Sequence, residues 1–89
     1  MAYRIILSNH FKKDAKKLSK KQIDKTKAVI QMIADGEVLP VKYSDHQLKG
    51  ELKEYRDCHV EPDLVLIYKL EDEILTLTAF RVGSHSYLF

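Results

Sequence analysis

The segment RDCHVEPD, residues 56–63, places charged residues and a histidine directly before the most apolar run of the chain, LVLIYKL. Because alternate residues of a strand share one face, we expect Asp57 and His59 to point one way, and Arg56 and Cys58 the other. A carboxylate beside an imidazole can raise the imidazole pKa from its usual value of about 6.5 and fix its tautomer. The spacing therefore indicates a pair that can move a proton near neutral pH.

Further candidates lie in the loops and strand ends around this segment. His46 is in a long loop and Asp63 is in a turn, while Arg81 closes the last predicted strand and His85 follows it. If the C-terminal strands are neighbours, we expect these groups to converge at one end of the sheet.

Each candidate also has a purely structural explanation. An aspartate in an edge strand can discourage aggregation, and Pro-Asp is ordinary turn sequence. The structural alternatives are a surface loop for His46, an edge strand for Asp57, a half-exposed strand position for His59, a turn for Asp63 and an exposed strand end for Arg81. The predicted convergence is stronger evidence for a site than any one of these residues.

Other kinds of chemistry lack their usual motifs. No HxxxH or HExxH pair is present to bind zinc, and Cys58 has no second cysteine. Neither a GxSxG nucleophile motif nor a glycine-rich phosphate loop is present. We therefore expect neither a metal ion nor a cofactor.

Cleavage of RNA by its own 2′-hydroxyl suits these side chains. One group removes the 2′-proton, a second protonates the leaving 5′-oxygen, and a cation stabilises the charged phosphorane. Histidine serves as acid or base near neutral pH, and arginine supplies fixed donors to a phosphate. DNA has no 2′-hydroxyl, so this chemistry selects RNA.

The N-terminal part of the chain predicts a strand and two helices that can support such a site. Residues 3–7 form a short apolar run typical of a strand, and Ser8 or Asn9 can cap the helix that follows. SKKQ, residues 19–22, matches the capping box of a second helix, which Gly36 can end in the left-handed conformation. The apolar stripes are Phe11, Ala15 and Leu18 in the first helix, and Ile23, Thr26, Ile30 and Ile33 in the second.

The rest of the chain predicts a long loop over residues 37–52 and then three strands. The strands span residues 55–60, 64–70 and 74–82, and the second is central because it is almost continuously apolar. The last two lie close in sequence and predict an antiparallel hairpin, after which Gly83 opens a polar tail.

The element order β-α-α-β-β-β predicts an α+β fold. We expect one domain, residues 1–89, with an antiparallel sheet, a two-helix hairpin packed on one face and the other face open.

Charge is unevenly distributed along the chain. Residues 1–27 carry a net charge of +7 and residues 28–89 carry −5, within a total of +2. Such a basic block suits RNA or an acidic protein partner, although this feature alone slightly favours a solvated lysine-rich helix face. The lysines that form it on the two helices include Lys12, Lys13, Lys16, Lys17, Lys20 and Lys21.

The chain shows no signal for a membrane or for export. No apolar run approaches the roughly 18 residues that a membrane span needs, and the N-terminus lacks the apolar core of a signal peptide. We expect a cytoplasmic protein with no membrane partner.

Three motifs together resemble one protein family. YSDHQLKG (43–50), YRDCHVEPDLVLIYKL (55–70) and RVGSHSYLF (81–89) are similar to the YafQ branch of the RelE/ParE superfamily of bacterial toxins. The shared patterns are HxLxG in the loop, R-D-x-H-x-x-P-D before an apolar strand, and G-[ST]-H-x-x-L-F at the end. The resemblance covers essentially the whole chain, and it implies a RelE-like fold that agrees with the predicted element order.

The resemblance implies the toxin of a type II toxin–antitoxin pair, neutralised by a RelB- or DinJ-like antitoxin. Such toxins are ribosome-dependent endoribonucleases that cleave mRNA in the ribosomal A site by acid–base chemistry without a metal. The implied catalytic residues are His46, Asp57, His59, Asp63 and His85, with Arg81, Phe89 and Arg56 binding the substrate.

The resemblance also suggests roles for these residues. His85 is the candidate acid, His46 or Asp63 the candidate base, and His59 with Asp57 positions the mRNA or a proton carrier. Phe89 can stack on a nucleobase or, alternatively, pack into the core.

Two other functions fit the predicted fold. The ParE branch shares it but inhibits DNA gyrase by binding, and a plain RNA- or protein-binding module is the third possibility. A protein that only binds has no need of His46, His59 and His85 together, so the histidines favour the enzyme.

Overall fold

The computed structural model describes residues 2–89. Its strands and helices are, in chain order, β1 (Arg4–Leu7), α1 (Asn9–Ala15), α2 (Lys20–Ala34), β2 (His46–Gln47), β3 (Arg56–Glu61), β4 (Leu64–Glu71), β5 (Thr76–Gly83) and α3 (His85–Leu88). Short 3-10 turns occupy Val41–Tyr43, Gly50–Leu52 and Asp72–Ile74.

The ends of the first two helices follow the predicted local signals. Ser8 caps α1 by accepting a hydrogen bond from the backbone N–H of Phe11. Ser19 and Gln22 form the predicted capping box of α2, each side chain bonding the other's backbone. Gly36, just beyond α2, has a φ of 81°, a conformation in which a residue with a Cβ is strained.

The five strands form one sheet in the order β1-β5-β4-β3-β2. The predicted α+β class is confirmed, and β4 is central as expected. One pair differs from the expected antiparallel sheet, since β1 runs parallel to β5, from Arg4 beside Thr76 to Leu7 beside Ala79. Most of the chain separates these two strands, so no tight turn joins them and requires them to be antiparallel.

The two faces of the sheet bury different side chains. On one face, a core of β3, β4 and β5 side chains packs against α1 and α2, and it includes Cys58, Leu66 and Val82. Asp57, opposite Ile67, belongs to the other face. This second face carries the candidate site.

Helix α1 continues along the edge of β5 where β1 stops. The Ser8 hydroxyl donates to the Phe80 carbonyl at 2.6 Å, and Asp14 Oδ2 accepts from the Val82 N–H at 3.2 Å. Side chains of this helix thus satisfy strand groups that a longer β1 would have paired. Asp14 is 2 % exposed, so its carboxylate is part of the interior.

Two elements were not predicted. The loop over residues 37–52 contains strand β2, which has only two residues and pairs with β3. The expected polar tail contains α3, a single turn that Ser84 caps by accepting from the Tyr87 N–H. Among residues 2–89, no helix has the length and apolar character needed to cross a bilayer.

Candidate active site

The strand register brings the candidate residues into two rows. His46 lies opposite Asp57, Asp57 opposite Ile67, and Ile67 opposite Arg81. In the adjacent row, His59 lies opposite Val65, which lies opposite Gly83. Directly opposed residues share a face of a sheet, so one surface carries candidates from β2, β3 and β5.

His46 is oriented by its own loop and by Asp57. Its Nδ1 lies 2.8 Å from the Ser44 carbonyl oxygen and 3.1 Å from Asp57 Oδ1. Because a carbonyl oxygen only accepts, Nδ1 carries the hydrogen. The neutral ring therefore keeps the Nε2 lone pair free to accept a proton.

Asp57 is the buried carboxylate of the site. It is 4 % exposed, and within residues 2–89 its Oδ1 lacks a regular hydrogen-bond partner, the nearby His46 nitrogen being aimed at Ser44. Burial raises the pKa of Asp57 above its ordinary value, although the charges of His46, His59 and His85 oppose this. Of these histidines, His46 is in direct contact with the carboxylate.

His59 is half-buried and is held by the turn that follows β3. Its Nδ1 lies 3.3 Å from the Pro62 carbonyl oxygen, and this again makes Nδ1 the hydrogen-bearing nitrogen. His59 and His46 thus have the same tautomer in their neutral forms.

Helix α3 presents His85 and Phe89, and Asp63 contacts its first turn. Asp63 Oδ1 accepts from the His85 backbone N–H at 3.4 Å. The rings of His85 and Phe89 lie 4.9 Å apart between centroids, tilted by 36°. Phe89 is 51 % exposed, so it is not packed into the core and its face is open to a ligand.

Arg81 is tied to the buried Asp14. Its Nε and Nη2 each lie 3.0 Å from a carboxylate oxygen of that residue. Burial alone raises the pKa of Asp14, but hydrogen bonds from Arg81, the Val82 N–H and the Tyr87 hydroxyl reverse the effect and hold it below its ordinary value. An arginine side chain has five N–H donors, and these two contacts use two of them.

Arg56 lies apart from the other candidates. It is opposite Tyr68 on β4, on the face that packs against the helices. Its guanidinium contacts Asp45 through Nε at 3.4 Å and Nη2 at 3.2 Å, and the Tyr68 hydroxyl donates to the same carboxylate at 2.5 Å. Arg56 thus holds the residue directly before His46 and is not brought to the histidines.

The sequence reasoning missed four residues that support the site, Asp14, Asp45, Tyr68 and Tyr87. Asp45 has a local signal, its place beside a candidate histidine, and Tyr68 is the one hydroxyl in the apolar run LVLIYKL. Nothing local indicates Asp14 or Tyr87, because their partners are 67 and 73 residues away along the chain.

The helix surface is basic, as expected. The six lysines assigned to the RNA or antitoxin surface all have exposed side chains: Lys12, Lys13, Lys16, Lys17, Lys20 and Lys21. Within residues 2–89, no group of three or more His, Cys, Asp or Glu side chains is arranged to hold a metal ion.

Known proteins share both the sequence and the fold. Residues 3–89 match the family described as a bacterial toxin of type II toxin–antitoxin systems, YafQ. The mRNA interferase toxin YafQ of Escherichia coli (strain K12) is 42 % identical over 85 residues, covering 92 % of this chain and 90 % of that protein.

Two crystal structures from Escherichia coli are also similar. YafQ from strain BL21(DE3) has a TM-score of 0.87 at 39 % identity, covering 98 % of each chain. A chain of the DinJ–YafQ toxin–antitoxin complex has a TM-score of 0.86 at 39 % identity, covering 100 % of this chain and 99 % of that one.

Proposed function

The chain belongs to the YafQ family of bacterial type II toxins, and on that premise we propose that it is an mRNA interferase, an endoribonuclease that cuts mRNA in the ribosomal A site. Residues 1–89 act as one toxin domain in the cytoplasm, where translating ribosomes are found. The observation that carries the proposal is the contact of His46 with the buried Asp57 at 3.1 Å, with His59 two residues along the same strand on the same face.

The reaction is attack of a ribose 2′-oxygen on the adjacent phosphorus. The base removes the 2′-proton, a bond forms between the 2′-oxygen and phosphorus, and the bond to the 5′-oxygen breaks. The acid gives its proton to that leaving oxygen, so the products are a 2′,3′-cyclic phosphate and a 5′-hydroxyl. No metal is needed, because both proton transfers and the charge on phosphorus are handled by side chains.

His85 is the general acid and His46 or Asp63 is the base. Support for His46 comes from its tautomer, whose unprotonated Nε2 can accept the 2′-proton. Asp63 is less free to act, since it already accepts the His85 backbone N–H. His85 is exposed on a terminal helix, where a leaving oxygen can approach it.

The remaining site residues bind or orient the RNA. Arg81 holds the scissile phosphate, and Phe89 stacks on a nucleobase beside His85. His59 and Asp57 position the mRNA or a proton carrier. Arg56 acts on the substrate through the loop that it holds at Asp45, ahead of His46.

The exposed lysines of α1 and α2 bind two alternative partners. On the ribosome they contact ribosomal RNA phosphates, so binding weakens as salt is raised. In a toxin–antitoxin complex they bind acidic segments of a cognate antitoxin, a partner of the class that YafQ has in the DinJ–YafQ complex of Escherichia coli.

Cleavage of mRNA on programmed 70S ribosomes tests this function. We expect the protein to cut within the A-site codon, and His85→Ala to cut roughly 10²–10⁴-fold more slowly. His10→Ala is the matched control, because His10 is also an exposed histidine but lies on α1, against Phe80.

Equal cutting by His85→Ala and by the intact protein would remove His85 from the chemistry. Absence of cutting by folded, antitoxin-free protein would instead favour gyrase inhibition or simple binding. A pH–rate profile with histidine-like limbs, shared by His10→Ala, supports the enzyme over both.

A further inference from the structure

The helix that carries His85 and Phe89 is too short to hold its own orientation. It has four residues, and a single helical turn is unstable in isolation because nucleation is unfavourable. Both of its functional side chains are exposed and so contribute little packing. Contacts from the other side of the helix must therefore fix its position.

Tyr87 supplies those contacts through its hydroxyl. The hydroxyl lies 3.0 Å from Asp14 Oδ1 and 3.0 Å from Lys17 Nζ. A carboxylate only accepts and an ammonium only donates, so the tyrosine donates to Asp14 and accepts from Lys17. The Lys17 ammonium also lies 4.5 Å from the centroid of the same ring.

The ring of Tyr87 fits against a gap in strand β5. A Cβ on the buried Gly83 would lie 2.7 Å from Tyr87 Cδ2, closer than carbon atoms approach without a shift. The absence of a side chain at Gly83 therefore lets the ring lie directly on the strand. Any larger residue there would force the Tyr87 ring to move from its place on the strand.

Asp14 is itself immobilised. It is 2 % exposed and accepts from Nε and Nη2 of Arg81 and from the Val82 N–H. The same carboxylate therefore sets the position of Arg81 and, through Tyr87, the position of α3. Arg81 and the terminal helix are linked by one buried group.

We propose that Tyr87 is a positioning residue for RNA cleavage, holding His85 and Phe89 in place through its hydroxyl on Asp14 and its ring on Gly83. This inference rests on the proposed function for its kinetic consequence, but its structural consequence can be measured separately. Tyr87 is not a catalytic residue: it acts through α3 and through Arg81, whose guanidinium carbon lies 5.4 Å from the centroid of its ring.

Tyr87→Phe tests the hydroxyl alone. We expect kcat for cleavage on programmed ribosomes to fall by about tenfold with KM little changed, because small misplacement of a catalytic group slows chemistry more than binding. Gly83→Ala, which displaces the ring, should lower kcat by about a hundredfold. Tyr3→Phe is the matched control, because Tyr3 also donates to an aspartate, Asp72, far from the site.

The second measurement is the NMR spectrum of the His85 ring, compared with the unfolding midpoint of each variant. We expect Tyr87→Phe to shift the His85 ring signals, and Tyr3→Phe to leave them unchanged. If Tyr87→Phe leaves both kcat and the His85 signals at wild-type values, the inference is wrong. If the wild type does not cut RNA, the proposed function fails, and the His85 signals alone decide whether Tyr87 positions the helix.

Discussion

Two segments carry histidines to the site, the loop around His46 and the terminal helix α3, and each is held by an aspartate that accepts from an arginine and a tyrosine. In the loop, Asp45 accepts from Arg56 and Tyr68. At the terminus, Asp14 accepts from Arg81 and Tyr87. The same three residue types thus anchor both segments.

The two anchors differ in which group belongs to the held segment. In the loop, the held residue is the aspartate, and the tyrosine is in the central strand, 1 % exposed. At the terminus, the held residue is the tyrosine, and the aspartate is buried on α1. The Asp45 side chain is 25 % exposed against 2 % for Asp14. If the aspartate is removed, water can therefore take its place as a partner of the arginine more readily at Asp45 than at Asp14.

Removal of each aspartate tests the comparison, and the largest effect belongs to Asp14→Ala. This change leaves the Val82 N–H and the Arg81 guanidinium without their buried acceptor, so we expect a loss of about 2–3 kcal/mol in the free energy of unfolding. Urea unfolding at neutral pH measures it. Asp24→Ala is the control, an exposed aspartate on α2 that should change stability little.

The pH dependence of this loss has a definite sign. The pKa of Asp14 is lowered on folding, so its contribution is present above the carboxyl pKa of the unfolded chain and is lost as pH falls through the folded pKa. The difference between wild type and Asp14→Ala should therefore narrow in acid. A difference that stays constant down to the folded pKa would contradict the ionic role.

The equivalent change in the other anchor, Asp45→Ala, should be milder for stability. We expect a loss of about 1 kcal/mol, because the Arg56 side chain is 35 % exposed and can bond water instead of Asp45. Cleavage should still slow, because the loop that carries His46 loses its contacts with Arg56 and Tyr68. Urea unfolding and mRNA cleavage, each measured for Asp14→Ala and Asp45→Ala, test this difference between the two aspartates. Should Asp45→Ala destabilise the protein as much as Asp14→Ala, burial would not be what separates the two anchors.

Asp57 is a third case: within residues 2–89 it is a buried carboxylate that lacks the arginine and tyrosine donors found at Asp14 and Asp45. Its raised pKa means that the ionised form is disfavoured by folding, so stability falls as pH rises from the unfolded through the folded pKa. We expect Asp57→Asn to raise stability at neutral pH by up to about 1 kcal/mol and to slow cleavage. A less stable Asp57→Asn protein would show that the charge is compensated in the native state.

Sequence periodicity predicted much of the fold because the signals are local. The capping box at Ser19, the left-handed Gly36 and the central strand β4 each depend on residues within a few positions of one another. Alternation also put Asp57 and His59 on one face and Arg56 on the other. Substrate binding by Arg56 remains a prediction.

The contacts between those residues depend on the tertiary structure. The two-residue strand β2 and the one-turn helix α3 are too short to show a period, and each exists because a distant element pairs with it or holds it. The parallel pairing of β1 with β5, the burial of Asp57 and the link from Asp14 to Tyr87 join residues far apart in the chain. Local pattern determined the elements and the residue types of the site; long-range packing decided their neighbours, because contacts across many residues leave no trace in local spacing.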